Sequence, residues 1–139
     1  MADVDVVVIG GGAMGSATAW WLARDGRGVV LLEQFEQGHT RGSSHGQTRI
    51  FRFAYPDPSY VAMAQASLAL WREVEGDTGV RVVERTGAVD HGEPAAVSAV
   101  AQAMTAAAAP FELVPPAAAE ERWPGMRFEG DVLFHPDGG

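Results

Sequence analysis

The sequence contains no cysteine, which excludes a disulfide, a thiolate-bound metal and a cysteine nucleophile in this chain. It contains no lysine either, so all ten basic residues are arginine, against eighteen acids. The resulting net charge of −8 argues against a general nucleic-acid surface. Four scattered histidines suggest no metal cluster. No apolar run reaches the length needed to cross a bilayer. The N-terminus carries Asp3 and Asp5 where an export signal carries positive charge. Its apolar run leads straight into a glycine turn, so it reads as the first strand of the fold, with the cytoplasm as the expected location. No internal repeat is visible. At 139 residues the chain is about one domain by length, and its apolar content of 47% is that of an ordinary globular protein.

What the sequence does have begins with Val6-Val7-Val8-Ile9-Gly10-Gly11-Gly12-Ala13-Met14-Gly15. Four β-branched residues predict a buried strand, and a helix opens directly after the glycine turn. Gly10, Gly12 and Gly15 form the G-x-G-x-x-G arrangement of a dinucleotide fold. Gly10 permits the tight turn, Gly12 lets the backbone approach a pyrophosphate, and Gly15 lets the helix pack on the strand. The free N–H groups at the helix start, those of Ala13 and Met14 among them, then face the phosphates. A second strand, Val29-Val30-Leu31-Leu32, ends in Glu33, eighteen residues past Gly15. A carboxylate there accepts hydrogen bonds from a ribose hydroxyl pair and repels a 2′-phosphate. No arginine follows it directly, which disfavours NADP. The competing reading of the glycines alone is a structural turn in an α/β protein.

The stretch from Gln37 to Arg52 is glycine- and serine-rich at first and predicts a loop. No acid occurs between Glu36 and Asp57, whereas Arg41, Arg49, Arg52, His39 and His45 do. A local positive field in an acidic chain suits an anionic ligand. Gly42, Ser43 and Ser44 offer hydroxyl and N–H groups to a pyrophosphate. A solvated basic loop explains the same residues without a ligand.

Along the rest of the chain, Ala13 to about Arg24 predicts the first helix, with Trp20 and Trp21 packing on either side of it. Pro56-Asp57-Pro58-Ser59 punctuates the chain, and Ser59 is the expected N-cap of a helix to about Glu75. Met63, Ala66, Leu70, Trp71 and Val74 make its expected core face, with Gly76 and Gly79 ending it. Val80 to Glu84 predicts a strand, and Gly87 to Val89 starts another. Pro94 opens a helix whose apolar face is Val97, Val100, Ala101, Met104 and Ala108, and Pro110 ends it. Phe111 to Val114 predicts a strand, Ala117 to Arg122 a short helix, and Asp131 to Phe134 a last strand. Only two strands have the character of a doubly wound sheet, which needs at least a third. The order of elements therefore looks like the first part of a larger protein.

Beyond the glycine motif, the chain carries Gly42-Ser43-Ser44-His45-Gly46-Gln47-Thr48-Arg49-Ile50-Phe51-Arg52, then Ala54-Tyr55, Leu70-Trp71, Thr86-Gly87 and Arg122-Trp123-Pro124-Gly125. In these blocks it resembles the N-terminal part of the monomeric sarcosine oxidase family, with N-methyltryptophan and pipecolate oxidases, in the glycine/D-amino-acid oxidase superfamily. The resemblance covers nearly the whole chain. It implies an α/β fold: the N-terminal part of a Rossmann-like FAD-binding domain over residues 1–85, then the beginning of an α+β substrate domain over 86–139, apparently truncated. It implies FAD as cofactor, and oxidation by oxygen of a secondary amine bearing a carboxylate, giving an imine and hydrogen peroxide. The partners it implies are a small amino-acid substrate and oxygen, with no nucleic acid and no membrane.

By the same resemblance, Gly10, Gly12, Ala13, Met14 and Gly15 hold the pyrophosphate, and Glu33, with Gln34 beside it, holds the adenosine ribose. Ser43, Ser44 and Thr48 line the path to the flavin, His45 and Arg49 sit beside its ring, and Arg52 binds the substrate carboxylate. No metal is expected. Many family members have aspartate where Gln47 stands and a second histidine where Ser44 stands, which leaves the substrate subgroup open. The family's C-terminal part supplies a lysine and often a cysteine, and this chain has neither. The chain by itself is expected to be inactive. A non-catalytic dinucleotide-binding protein and an NAD-dependent dehydrogenase are the alternatives.

Overall fold

Val6–Ile9 forms β1 and Val29–Leu32 forms β2, in a computed structural model that describes residues 3–46 and 48–139. Gln47, on which the subgroup comparison turned, lies outside the described residues. The two strands pair in parallel, Val6 opposite Val29 through to Ile9 opposite Leu32. Between them runs α1, Ala13–Arg24. A parallel pair cannot be closed by a tight hairpin, so the helix makes the crossover. The carboxylate of Asp5 accepts from Gly28 N–H at 2.7 Å, and the Gly28 carbonyl accepts from Asp5 and Val6 N–H, fixing where the ladder starts. Ile9 is 85% exposed and Leu32 50% exposed. Two strands and one helix do not cover the apolar faces their β-branched residues create. Trp20 and Trp21 do not flank the helix as expected. Their rings meet edge to face at 4.7 Å, with the Arg24 guanidinium near both.

The chain divides into two compact units, one ending at Arg49 and the other running from Ile50 to Gly139. In the second, α2 spans Pro58–Thr78. Its cap is Asp57, whose carboxylate accepts from Ser59 N–H at 2.8 Å. The expected cap, Ser59, sits inside the first turn, because proline occupies the first helical position where no N–H is needed. The helix continues through Gly76 and stops at Gly79, which takes the left-handed conformation. Its buried side is Val61, with Ala64 and Leu68 packed beside it. The expected face is wrong there, since Met63 is 65% and Leu70 41% exposed. Alanine, methionine and leucine occur all round this helix, so spacing alone does not choose a side.

The strand expected over 80–84 does not form. Glu75 takes its donors instead, Oε1 accepting from Val82 N–H at 2.7 Å and Val83 N–H at 2.8 Å. Arg72 pairs with the same carboxylate. These backbone hydrogen bonds, with Arg72, lower the Glu75 pKa to about 2. Ala88–Asp90 (β3), Glu112–Val114 (β4) and Val132–His135 (β5) make an antiparallel sheet in the order β3-β5-β4. The helices α3, Pro94–Ala106, and α4, Pro116–Arg122, complete the unit. Val97, Ala101 and Met104 of α3 bury against Phe53, Val61 and Leu133. A smaller cluster joins Val114, Ala119, Phe128 and Val132. His135 is fully buried, its Nε2 3.0 Å from Asp90 Oδ2, tying β5 to β3. Proline at 110 does not end α3. The helix ends at Ala106, with Ala108 in the left-handed region at φ 52. Its N–H bonds the Thr105 carbonyl while Ala109 N–H bonds that of Met104. This is the Schellman arrangement. Ala108 is therefore exposed at the helix end and does not belong to the apolar face.

Candidate functional site

The glycine turn needs its glycines for separate reasons that the geometry makes explicit. Gly10 has φ 100, a conformation L side chains rarely adopt. A Cβ on Gly15 would lie 1.8 Å from the Gly10 carbonyl oxygen, so α1 starts directly against the strand end. A Cβ on Gly12 would lie 3.0 Å from Ser44 Oγ. That hydroxyl accepts from Ala13 N–H at 2.9 Å, capping one of the free donors at the start of α1. Ser16 Oγ donates to the Gly11 carbonyl at 2.8 Å.

Across the turn stands Glu33, directly after β2. Its Oε2 accepts from Gly11 N–H at 2.7 Å and its Oε1 from Phe35 N–H at 3.0 Å. These bonds, that to Gly11 first, hold its carboxyl below the usual carboxylate range. The parallel pairing of β1 with β2 puts their C-terminal ends side by side, and the open end of such a sheet is where ligands bind. A cleft of about 650 Å³ opens there. It brings together Gly10, Gly12, Glu33, Gln34, Ser43, Ser44 and His45, all expected from sequence, with Ser16, Phe35, His39 and Arg41, which were not assigned to the site. Ser16 carried only the signal of a hydroxyl in the first helical turn. Phe35 carried none, since an aromatic two residues past a strand is ordinary packing. His39 and Arg41 were legible only as part of the positive loop.

Ala13, Met14, Gly15, Thr48 and Arg49 do not line the cleft wall. Arg49 has a visible task, however. Its guanidinium donates to the carbonyl oxygens of Ser43 at 2.8 Å, Thr48 at 2.7 Å, and His45. One arginine thus braces the loop of the second motif block. His45 Nδ1 meets the Gly42 carbonyl at 2.5 Å. A carbonyl only accepts, so that nitrogen donates and Nε2 carries the lone pair in the neutral ring. Arg52 belongs to the second unit, where its guanidinium lies 4.9 Å from the centre of the Tyr55 ring. A larger groove of about 830 Å³ runs along α3 in the second unit. Its lining is mainly apolar, and Asp131 is the only ionisable side chain among its described residues. No group of three or more His, Asp or Glu able to hold a metal occurs among the described residues, and none of their helices is long and apolar enough to cross a membrane.

Residues 5–139 match the family described as FAD dependent oxidoreductase (DAO). The chain is 36% identical over 141 residues to a monomeric sarcosine oxidase of Bacillus sp. (strain B-0618), covering 97% of this chain and 36% of that protein. It is 48% identical over 91 residues to a monomeric sarcosine oxidase of Streptomyces avermitilis, covering 65% of this chain and 24% of that one. Among solved structures, NikD, an unusual amino acid oxidase essential for nikkomycin biosynthesis, superposes with a TM-score of 0.75 at 28% identity, over 97% of this chain and 36% of its own. An L-proline dehydrogenase from P. horikoshii shares the fold, with a TM-score of 0.77 at 24% identity over 99% of this chain and 37% of its own. The chain thus spans little more than a third of the length of relatives such as the Bacillus enzyme.

Proposed function

This chain belongs to the FAD dependent oxidoreductase (DAO) family, and from that premise we propose that it is the cofactor-binding portion of a flavin amine oxidase of the sarcosine oxidase kind. The observation that carries the reading is the Glu33 carboxylate, fixed across the glycine turn by Gly11 N–H at 2.7 Å. The cleft fits FAD by the chemistry of its lining. Glu33, with Gln34 beside it, offers acceptors to the adenosine ribose. Gly10 and Gly12 give the pyrophosphate a close approach, and the start of α1 behind them, with Ala13, Met14 and Gly15, turns its positive dipole end toward it. Ser43 and Ser44 add hydroxyl donors.

FAD held there would supply a two-electron acceptor for the hydride of a substrate C–H bond, with oxygen as the final oxidant. The net reaction we infer converts a secondary amine and oxygen to an imine and hydrogen peroxide, and water then hydrolyses the imine. The chain's own residues bind and orient. Arg49 holds Ser43, His45 and Thr48 by their carbonyl oxygens. His45, with Nδ1 committed to Gly42, presents Nε2 as its acceptor nitrogen. Arg52 pairs with the substrate carboxylate, for which a guanidinium offers a planar, permanently charged fork. Residues from about 86 onward begin the substrate half. A sarcosine-like N-methyl or cyclic amino acid is the substrate class, by likeness to the sarcosine oxidases.

The test is made on the full-length protein, which should purify yellow. Arg52→Ala removes a charge-assisted hydrogen bond worth about 1.5–3 kcal/mol, so apparent affinity for sarcosine, N-methyl amino acids or pipecolate should fall by ~10- to 100-fold. Arg52→Lys should recover part of this, and flavin content should stay normal in both. Unchanged substrate affinity in Arg52→Ala, or loss of flavin instead, overturns the Arg52 assignment. A colourless protein that takes up no FAD overturns the flavin reading.

A further inference from the structure

Glu33 can grip a ribose hydroxyl pair only if its carboxylate keeps one orientation, and the contacts around it extend beyond the two backbone N–H groups. His39 Nε2 lies 3.4 Å from Glu33 Oε1. That is longer than an ordinary hydrogen bond and close enough for the ring to act on the carboxylate. The other ring nitrogen fixes which tautomer faces the carboxylate. His39 Nδ1 accepts from Arg41 N–H at 3.1 Å, so Nδ1 presents a lone pair and the ring proton sits on Nε2, pointing at Glu33. The ring is held in that plane by Phe35, which meets it edge to face at 5.0 Å, while the Arg41 guanidinium covers Phe35 at 4.8 Å. The side chains of Glu33 and His39 are only 26% and 21% exposed, so water screens the contact less than it would at an open surface.

We propose that His39 is a positioning residue: through Glu33 it sets how tightly the site holds the ribose hydroxyl pair of an adenosine diphosphate group. The proposal rests on the flavin reading above and adds to it a residue with no contact of its own to the reacting atoms. Its rival is a purely local role, because His39 N–H also bonds the Glu36 carbonyl at 3.2 Å and Nδ1 ties down Arg41. The two roles use different ring atoms, and substitutions can separate them. His39→Gln keeps an N–H donor where Nε2 stands. His39→Asn keeps an acceptor where Nδ1 stands.

The probes are ADP and 2′-deoxy-ADP, titrated calorimetrically into the flavin-free full-length protein. Wild type should prefer ADP by ~10- to 100-fold, the worth of one hydroxyl-to-carboxylate hydrogen bond. His39→Ala should weaken ADP by about two- to fivefold, as for loss of a partly exposed N–H donor beside a carboxylate, and weaken 2′-deoxy-ADP less, because that nucleotide keeps only the 3′-hydroxyl of the pair. His39→Gln should restore the preference and His39→Asn should not. Should His39→Ala fold poorly by circular dichroism, the Gln and Asn variants decide the matter between themselves. Equal losses for the two nucleotides, or rescue by Asn and not by Gln, overturn the proposal and assign His39 to the loop alone. A wild type that binds neither ADP nor FAD overturns the flavin reading itself.

Discussion

Replacing each glycine of the turn by alanine should give three different outcomes, because three different obstacles are present. At Gly15 the added Cβ meets backbone, 1.8 Å from the Gly10 oxygen and 3.0 Å from its carbon, with Val8 Cγ1 at 3.5 Å behind. Side-chain rotation cannot relieve a clash with a main-chain carbonyl, so α1 must move off the strand end by more than about 1 Å. Overpacking of this kind costs about 1–3 kcal/mol, and a backbone obstacle puts Gly15→Ala at or above the top of that range. At Gly10 nothing lies within 4 Å, and the obstacle is the φ of 100, for which a strained backbone costs ~1–3 kcal/mol. At Gly12 the neighbour is the Ser44 hydroxyl at 3.0 Å, a group that can swing away. Folding should therefore suffer most in Gly15→Ala and least in Gly12→Ala. Nucleotide binding should fall in Gly12→Ala although the fold survives, since the new methyl stands where the pyrophosphate approaches. The assays are amide hydrogen exchange over β1 and β2 and titration with ADP, both on the full-length protein. If Gly15→Ala protects those amides as well as wild type does, or if Gly12→Ala is the poorest folder, the packing argument is refuted.

Ala108 occupies, at φ 52, the helix-ending position that glycine favours. The left-handed conformation costs alanine about 1–2 kcal/mol, and glycine returns roughly 0.4–1 kcal/mol of that as unfolded-state entropy. Ala108→Gly should thus stabilise the second unit by about 0.5–1 kcal/mol, read as a higher melting temperature, and an unchanged or lower one counts against the cap assignment. The Glu75 pKa is lowered in the folded state from 4.5 to about 2, so its contribution is fully present above pH 4.5 and fades as pH falls toward 2. Thermal melts across that range should show wild type more stable than Glu75→Gln above pH 4.5, with the two curves converging near pH 2. A gap that persists in acid would mean that the charge on Glu75 is not what holds Val82 and Val83.

Local chemistry carried much of the architecture into the sequence. The β-branched run before Gly10 and the acid after Leu32 predicted β1, β2 and a carboxylate at the sheet's open end, because strand propensity and glycine conformation are properties of a few adjacent residues. The loop from Gln37 was equally legible as irregular backbone. Failures came where a distant partner decided the outcome. Val80 to Glu84 has strand composition, yet a carboxylate from α2, and no neighbouring strand, accepts from two of its N–H groups. The core side of α2 is not legible locally, because both sides carry apolar residues and only contact with α3 and the sheet selects Val61.

The sequence by itself determined that residues 6–33 make a parallel strand–helix–strand unit with a glycine turn and an acid facing it, since turn geometry, side-chain volume and charge are local. Tertiary structure decided what those groups touch. It gave Ser44, thirty-one positions from Ala13, the capping of α1, turned Arg49 onto three carbonyl oxygens, and set His39 beside Glu33 with its proton on Nε2. Those contacts join residues far apart along the chain or depend on how a loop closes. Hydrogen-bond direction and ring orientation become fixed only when both partners have a place in space.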